Sequence, residues 1–139
     1  MNSDIKINSL DHVAIRVKDL NRSVQWYQEV LNLQKYQFEE WGAYPIMMFA
    51  GKSGIAIFPA NLEDEQIPFS SKNVKIDHIA FNVDRENFQK ALKKYEHLGI
   101  EYKIQDHHFF DSVYVADPDG HTIELTTLKV KDEEFYKSE

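Results

Sequence analysis

Leu10-Asp11-His12-Val13-Ala14-Ile15-Arg16-Val17 recurs as Ile76-Asp77-His78-Ile79-Ala80-Phe81-Asn82-Val83, 66 residues further on. Asp, His, Ala and the final Val are identical, and the other apolar positions stay apolar. A repeat of this size means a duplicated structural unit, which constrains the fold more than any other feature of the chain. Each copy alternates apolar and polar residues, the pattern of a strand with one buried face. Each carries a His at the same strand position, so two imidazoles on equivalent strands can converge on one point.

Both halves continue in the same way. After 10–17, Lys18-Asp19-Leu20-Asn21 offers cap residues, and the spacing of Val24, Tyr27 and Leu31 predicts a helix over 22–31. After 76–83, Asp84 is an N-cap candidate. Phe88, Ala91, Leu92, Tyr95 and Leu98 form a helical stripe that Gly99 can end. Three strands are then expected in each half, at 35–40, 45–50 and 54–59, and at 101–105, 111–116 and 121–127. The last turn of the second half, Asp117-Pro118-Asp119-Gly120, is the stronger; Gly51-Lys52-Ser53-Gly54 is its weaker counterpart. The reading is α+β: a single domain over 1–139, built of βαβββ modules 8–59 and 74–131 joined by a linker at 60–73. The tail from Lys131 is charged and is expected to fray or to cover a pocket edge.

Composition narrows the function. The 139 residues, 42% hydrophobic, suffice for a packed core. A net charge of −7 argues against nucleic acid and anionic membrane surfaces. No apolar run approaches the ~20 residues that span a bilayer, and the N-terminus lacks a signal-like apolar stretch, so a cytoplasmic protein is expected. With no cysteine, thiolate ligands, disulfides and a Cys nucleophile are excluded.

The Leu10–Ala14 and Ile76–Phe81 motifs, with Asp117-Pro118-Asp119-Gly120-His121-Thr122-Ile123-Glu124-Leu125, resemble the vicinal oxygen chelate superfamily. That superfamily includes glyoxalase I, bleomycin-resistance proteins, fosfomycin-resistance thiol transferases and extradiol dioxygenases. The resemblance covers about residues 8–128. It implies that the two modules curl into a mixed-sheet half-barrel. It also implies a metal held by residues of the first and last strand of each module, here His12, His78 and Glu124. A single His on a strand is most often structural; three family positions filled together point to a metal. Two imidazoles and a carboxylate suit one divalent ion, Fe, Mn, Zn or Ni, with positions left for substrate.

The fourth family position is expected at Phe58, by counting 66 residues back from Glu124. Phe58, Ala56 and Ile57 cannot bind metal, so the resemblance lies with three-ligand members rather than glyoxalase I. Strand parity sets Tyr114 on the site face, where the relatives place a substrate-facing Tyr. His107 and His108 precede it as candidate acid–base groups, whereas His121 and His97 read as structural. By the same parity Ile46, Met48, Ala56 and Phe58, with Tyr44 and Trp41 near an edge, are expected to form an apolar wall. Arg16 and Asn82, at matching repeat positions, would meet a polar substituent. Substrate contacts are therefore expected from Arg16, Met48, Phe58, Asn82 and Tyr114.

The expected function is metal-dependent chemistry on a small, partly hydrophobic, oxygen-bearing molecule: dioxygenase, thiol transferase or isomerase/lyase. The alternative is a metal-free, ligand-sequestering protein of the bleomycin-binding type. The absence of Lys and Arg from Gln105–Asp111 counts against a phosphonate substrate. The resemblance also implies a homodimer, with sites shared between modules of two chains.

Overall fold

The computed structural model describes residues 3–136, so the last three residues of the charged tail lie outside it. The chain divides between Glu65 and Gln66 into two compact units. The first holds β1 (His12–Val17), α1 (Leu20–Leu31), β2 (Gln34–Tyr36), β3 (Ile46–Ala50) and β4 (Ser53–Pro59). The second holds β5 (Ile79–Asn82), α2 (Arg85–Leu98), β6 (Lys103–Asp106), β7 (Phe110–Ala116), β8 (Thr122–Leu128) and a terminal turn of helix, α3 (Asp132–Phe135). Each sheet is mixed and has the same order, β1-β4-β3-β2 and β5-β8-β7-β6. The two βαβββ modules are therefore as the repeat implies.

The local chemistry is what the sequence suggests. Asp19 accepts a hydrogen bond from the Arg22 amide at 3.1 Å, and Asp84 accepts one from the Asn87 amide at 2.9 Å, capping the two helices. Gly99 ends α2 in the left-handed region at φ 68°. In the turn before β8, the Asp117 carboxylate accepts from the amides of Asp119 and His121, both at 2.9 Å. The predicted strand at 35–40 is cut short after Tyr36 by a 3-10 turn at Glu39–Trp41. The tail does not simply fray: Phe135 packs edge-on against Phe110, ring centroids 4.5 Å apart.

Register decides which residues share a face. Val13, Ile15 and Val17 on β1 align with Ile55, Ile57 and Pro59 on β4, and Ile57 and Ile55 pair with Ile46 and Met48 on β3. Val24, Tyr27 and Val30 of α1 are buried, and α1 packs on β2, β3 and β4. Met48 is completely buried with this core. That corrects its expected place, and that of Ile46, in the wall beside the metal. The site face of β3 belongs to Met47 and Phe49 instead. The sequence misleads here because Ile46-Met47-Met48-Phe49 is apolar on both faces, so hydrophobicity carries no parity signal.

In the second unit α2 packs on β8, burying Phe88, Ala91 and Tyr95. The Tyr95 hydroxyl is buried with no hydrogen-bond partner, and burial pushes its pKa up to about 12. An unpartnered buried hydroxyl costs about 1–3 kcal/mol. Tyr95→Phe is accordingly expected to stabilise the protein by about 1 kcal/mol, read as a higher urea midpoint at unchanged slope.

Candidate metal centre

In the second unit His78 stands immediately before β5, and β5 runs parallel to β8, pairing Ala80 with Glu124 and Asn82 with Thr126. β7 runs antiparallel to β8 on its other side, pairing Tyr114 with Glu124 and Ser112 with Thr126. His78, Glu124 and Tyr114 therefore meet on the face turned away from α2. The His78 Nε2 lies 2.9 Å from Glu124 Oε1, and its Nδ1 lies 2.8 Å from Asp77 Oδ2. The Glu124 side chain is only 8% exposed. A buried carboxylate is costly unless a partner compensates it, and His78 is that partner.

Asp77 fixes the imidazole. Its carboxyl is held below the usual range, chiefly by the hydrogen bond to His78. With Nδ1 occupied by the carboxylate, Nε2 is the nitrogen presented toward Glu124. The first unit repeats the device: His12 Nδ1 lies 2.7 Å from Asp11 Oδ1. Nothing in the sequence reading assigned Asp11 and Asp77 this role, although the doubled Asp-His was in plain sight.

The spacing of His78 and Glu124 fits two adjacent ligands of a divalent ion. Two donors about 2.1 Å from one ion and at a right angle lie about 3.0 Å apart, close to the separation of His78 Nε2 and Glu124 Oε1. Among the described residues, no three His, Asp, Glu or Cys side chains are gathered so that they could hold a metal ion. His12 belongs to the first unit, and His78 and Glu124 to the second.

Register corrects the fourth position. His12 aligns with Gly54, Ala14 with Ala56 and Arg16 with Phe58. Since Ala80 aligns with Glu124, the counterpart of Glu124 is Ala56, not Phe58. The count of 66 fails because the second copy carries one extra residue before its second strand and another in its last turn. Ala56 has no donor atom, so the first unit still lacks a carboxylate there. Phe58 lies two residues on, opposite Arg16, with the guanidinium carbon 5.4 Å from its ring centroid. Arg16 also donates to the Pro59 carbonyl at 3.0 Å. Trp41 lies in the 3-10 turn against Phe38, whereas the Tyr44 ring reaches Phe58, centroids 6.1 Å apart.

The two neighbouring histidines part company. His107 Nε2 and the Tyr114 hydroxyl share a 2.6 Å hydrogen bond. The Tyr114 and His78 rings meet edge-on at 5.8 Å. Burial, then the Glu124 charge, raises the Tyr114 pKa, so the phenol holds its proton. His108 serves the loop instead: it takes φ 73°, its amide donates to Asp106 at 2.8 Å, and its ring packs edge-on against Phe109. His121 packs against Phe69, centroids 4.7 Å apart, which agrees with a structural reading. Asn82 holds the position of Arg16 in the second copy, on the same face as His78 and Glu124.

A fold of this topology defines a class. The chain belongs to the Glyoxalase/Bleomycin resistance protein/Dioxygenase superfamily, whose family model matches residues 9–125. It is 33% identical to a metallothiol transferase FosB of Staphylococcus epidermidis, over 97% of this chain and 93% of that protein. A glutathione transferase FosA of Serratia marcescens is 28% identical, over 86% of this chain and 80% of that protein. Among solved structures, a glyoxalase/dioxygenase from Nostoc punctiforme superposes with TM-score 0.75 at 20% identity, over 94% of this chain and 99% of that one, a likeness of fold. No helix among the described residues is long and apolar enough to cross a membrane.

The loop that brings His107 to Tyr114 is held by Asp106, whose other oxygen lies 2.9 Å from Lys129 Nζ. That hydrogen bond, then the His108 amide, lowers the Asp106 pKa from 3.8. The sign follows: the depressed pKa favours the ordered loop above the unfolded value, and this is lost as pH falls through the folded one. Lys129→Met is expected to move the Asp106 carboxyl titration, followed by NMR, upward toward 3.8.

Proposed function

We propose that the chain is a metal-dependent thiol transferase whose divalent ion is held by His12, His78 and Glu124. The observation that carries this is the buried Glu124 carboxylate against an imidazole whose far nitrogen is anchored by Asp77, a device that Asp11 and His12 repeat. The named relatives support the reaction class. Because the chain has no cysteine, the sulfur must arrive on a thiol cosubstrate.

In such a transfer the sulfur–carbon bond forms as a carbon–oxygen bond of the electrophile breaks. The thiol proton ends on that oxygen. The ion, when bound, supplies Lewis acidity toward the electrophile's oxygen. The Tyr114 hydroxyl is placed to hydrogen-bond that oxygen, and His107 orients the phenol and can take up or return a proton. His108 has a positioning part through its loop. Asn82 would meet a polar substituent from the second unit and Arg16 one from the first, and Phe58 would supply apolar contact. Met48, buried under α1, has no part in binding.

The modules form one domain in this reading, and the protein is a homodimer in which the donors of the two units complete shared sites. Light scattering at micromolar protein is expected to give twice the 16.3 kDa chain mass. A mass of one chain overturns the dimer.

Calorimetric titration with Mn or Zn is expected to show one saturable site per chain. His78→Ala should abolish it, and Asp77→Asn should weaken it about 10- to 100-fold through the loosened imidazole. Ala56→Glu, at the row of Glu124, should tighten it, whereas Phe58→Glu should not. Metal binding unchanged in His78→Ala overturns the donor set. Metal binding without metal-dependent consumption of thiol, across a panel of electrophiles, overturns the transferase assignment.

A further inference from the structure

At three rows the site face of the first sheet carries apolar or aromatic side chains where its counterpart in the second sheet carries polar groups. By register, Met47 stands in the place of Tyr114, Phe58 in that of Thr126, and Tyr36 in that of Lys103. Phe49 lies across Gly54, where an added Cβ would meet the Phe49 Cα and Cδ1 at 2.7 Å. Gly54 aligns with His12, and the Phe49 and His12 ring centroids are 6.5 Å apart. The missing side chain at Gly54 is what allows this aromatic ring close to a metal donor.

Four residues along β4, roughly 13 Å away, a second group stands on the same face. Phe58 lies between the Arg16 guanidinium and the Tyr44 ring, 5.4 and 6.1 Å from its centroid. Between the two groups register places the small residues Ala14, exposed, and Ala56, buried, with the flexible side chain of Met47 beside Ala56. Among the described residues of β1–β4, Arg16 is the only formally charged side chain that register places on this face, and its guanidinium already covers an aromatic ring; the Asp11 carboxylate lies at the His12 end. A compact dianion needs several cations to offset its desolvation. A flat apolar body needs ring faces, small residues between them and an adaptable thioether, which are present.

We propose that this face binds a planar aryl group of the electrophilic substrate, so that oxygen atoms next to the aryl group reach the metal beside His12. The substrate class is thus an aryl-bearing electrophile with adjacent oxygen donors, rather than a small phosphonate. The inference rests on the metal reading only for the oxygen donors; the aryl contact stands on the geometry of the first unit.

Two measurements separate these parts. In the first, without metal, ligand-observed NMR compares phenylacetate with acetate. Saturable binding of phenylacetate is expected, with none for acetate, and it should be lost in folded Phe49→Leu/Phe58→Leu. In the second, with Mn, calorimetry compares benzohydroxamate with acetohydroxamate, which chelate through the same two oxygens. The phenyl compound should bind roughly tenfold tighter or more, and the double variant should bring the ratio toward one. No phenylacetate binding, or binding and ratio that survive in the double variant, overturns the aryl site. Phenylacetate binding without any Mn-dependent hydroxamate binding leaves the aryl site standing and overturns the metal reading alone.

Discussion

Parallel pairing between the first and last strand of each unit is the constraint on which the rest depends. A parallel pair cannot be closed by a tight turn; it needs a crossover, and here the crossover is a helix followed by two further strands. The helix covers one face of the sheet and leaves the other for chemistry. In the second unit the pairing of β5 with β8 brings Glu124 to the row next to His78. Without that pairing the carboxylate would be an isolated buried charge. With it, the imidazole partners the carboxylate at 2.9 Å.

The two copies keep this scaffold and diverge on the face turned away from the helix. In the second, Glu124 pairs with His78, Tyr114 shares a hydrogen bond with His107, and the Ser112 hydroxyl donates to Thr126 at 3.0 Å. In the first, the corresponding rows carry Met47, Ala56 and Phe58, so the same strand order gives a face suited to apolar contact. The helix-facing sides did not diverge in character, because a close-packed core tolerates changes of shape less readily than an open surface does. The second copy holds His78 against Glu124, and the first holds His12 against its anchoring Asp11.

Positioning in the second unit extends outward from the donors. Asp77 orients His78, His107 meets Tyr114, and Asp106 with Lys129 braces the loop carrying His107. The edge-on contact between Tyr114 and His78 links this support to the donor set.

Much of this was legible in the chain. The repeat alone determined the two modules. Asp19, Asp84 and Gly99 marked helix ends through local hydrogen bonding and backbone preference. The alternation of the Asp-His strands separated the donor side from the core side. Met48 was misread because β3 is apolar on both faces, and only its pairing with Ile55 reveals which side faces α1. Phe58 was misread because counting along a chain cannot see two one-residue insertions, whereas hydrogen-bonded register passes over them. The partnership of His107 with Tyr114, and the diversion of His108 into the loop, depended on backbone angles that no residue pattern states. The sequence by itself determined the fold and which residue types could act, because periodicity and caps are local. Tertiary structure decided which of them meet, because strand register and loop conformation are set by pairing across the sheet.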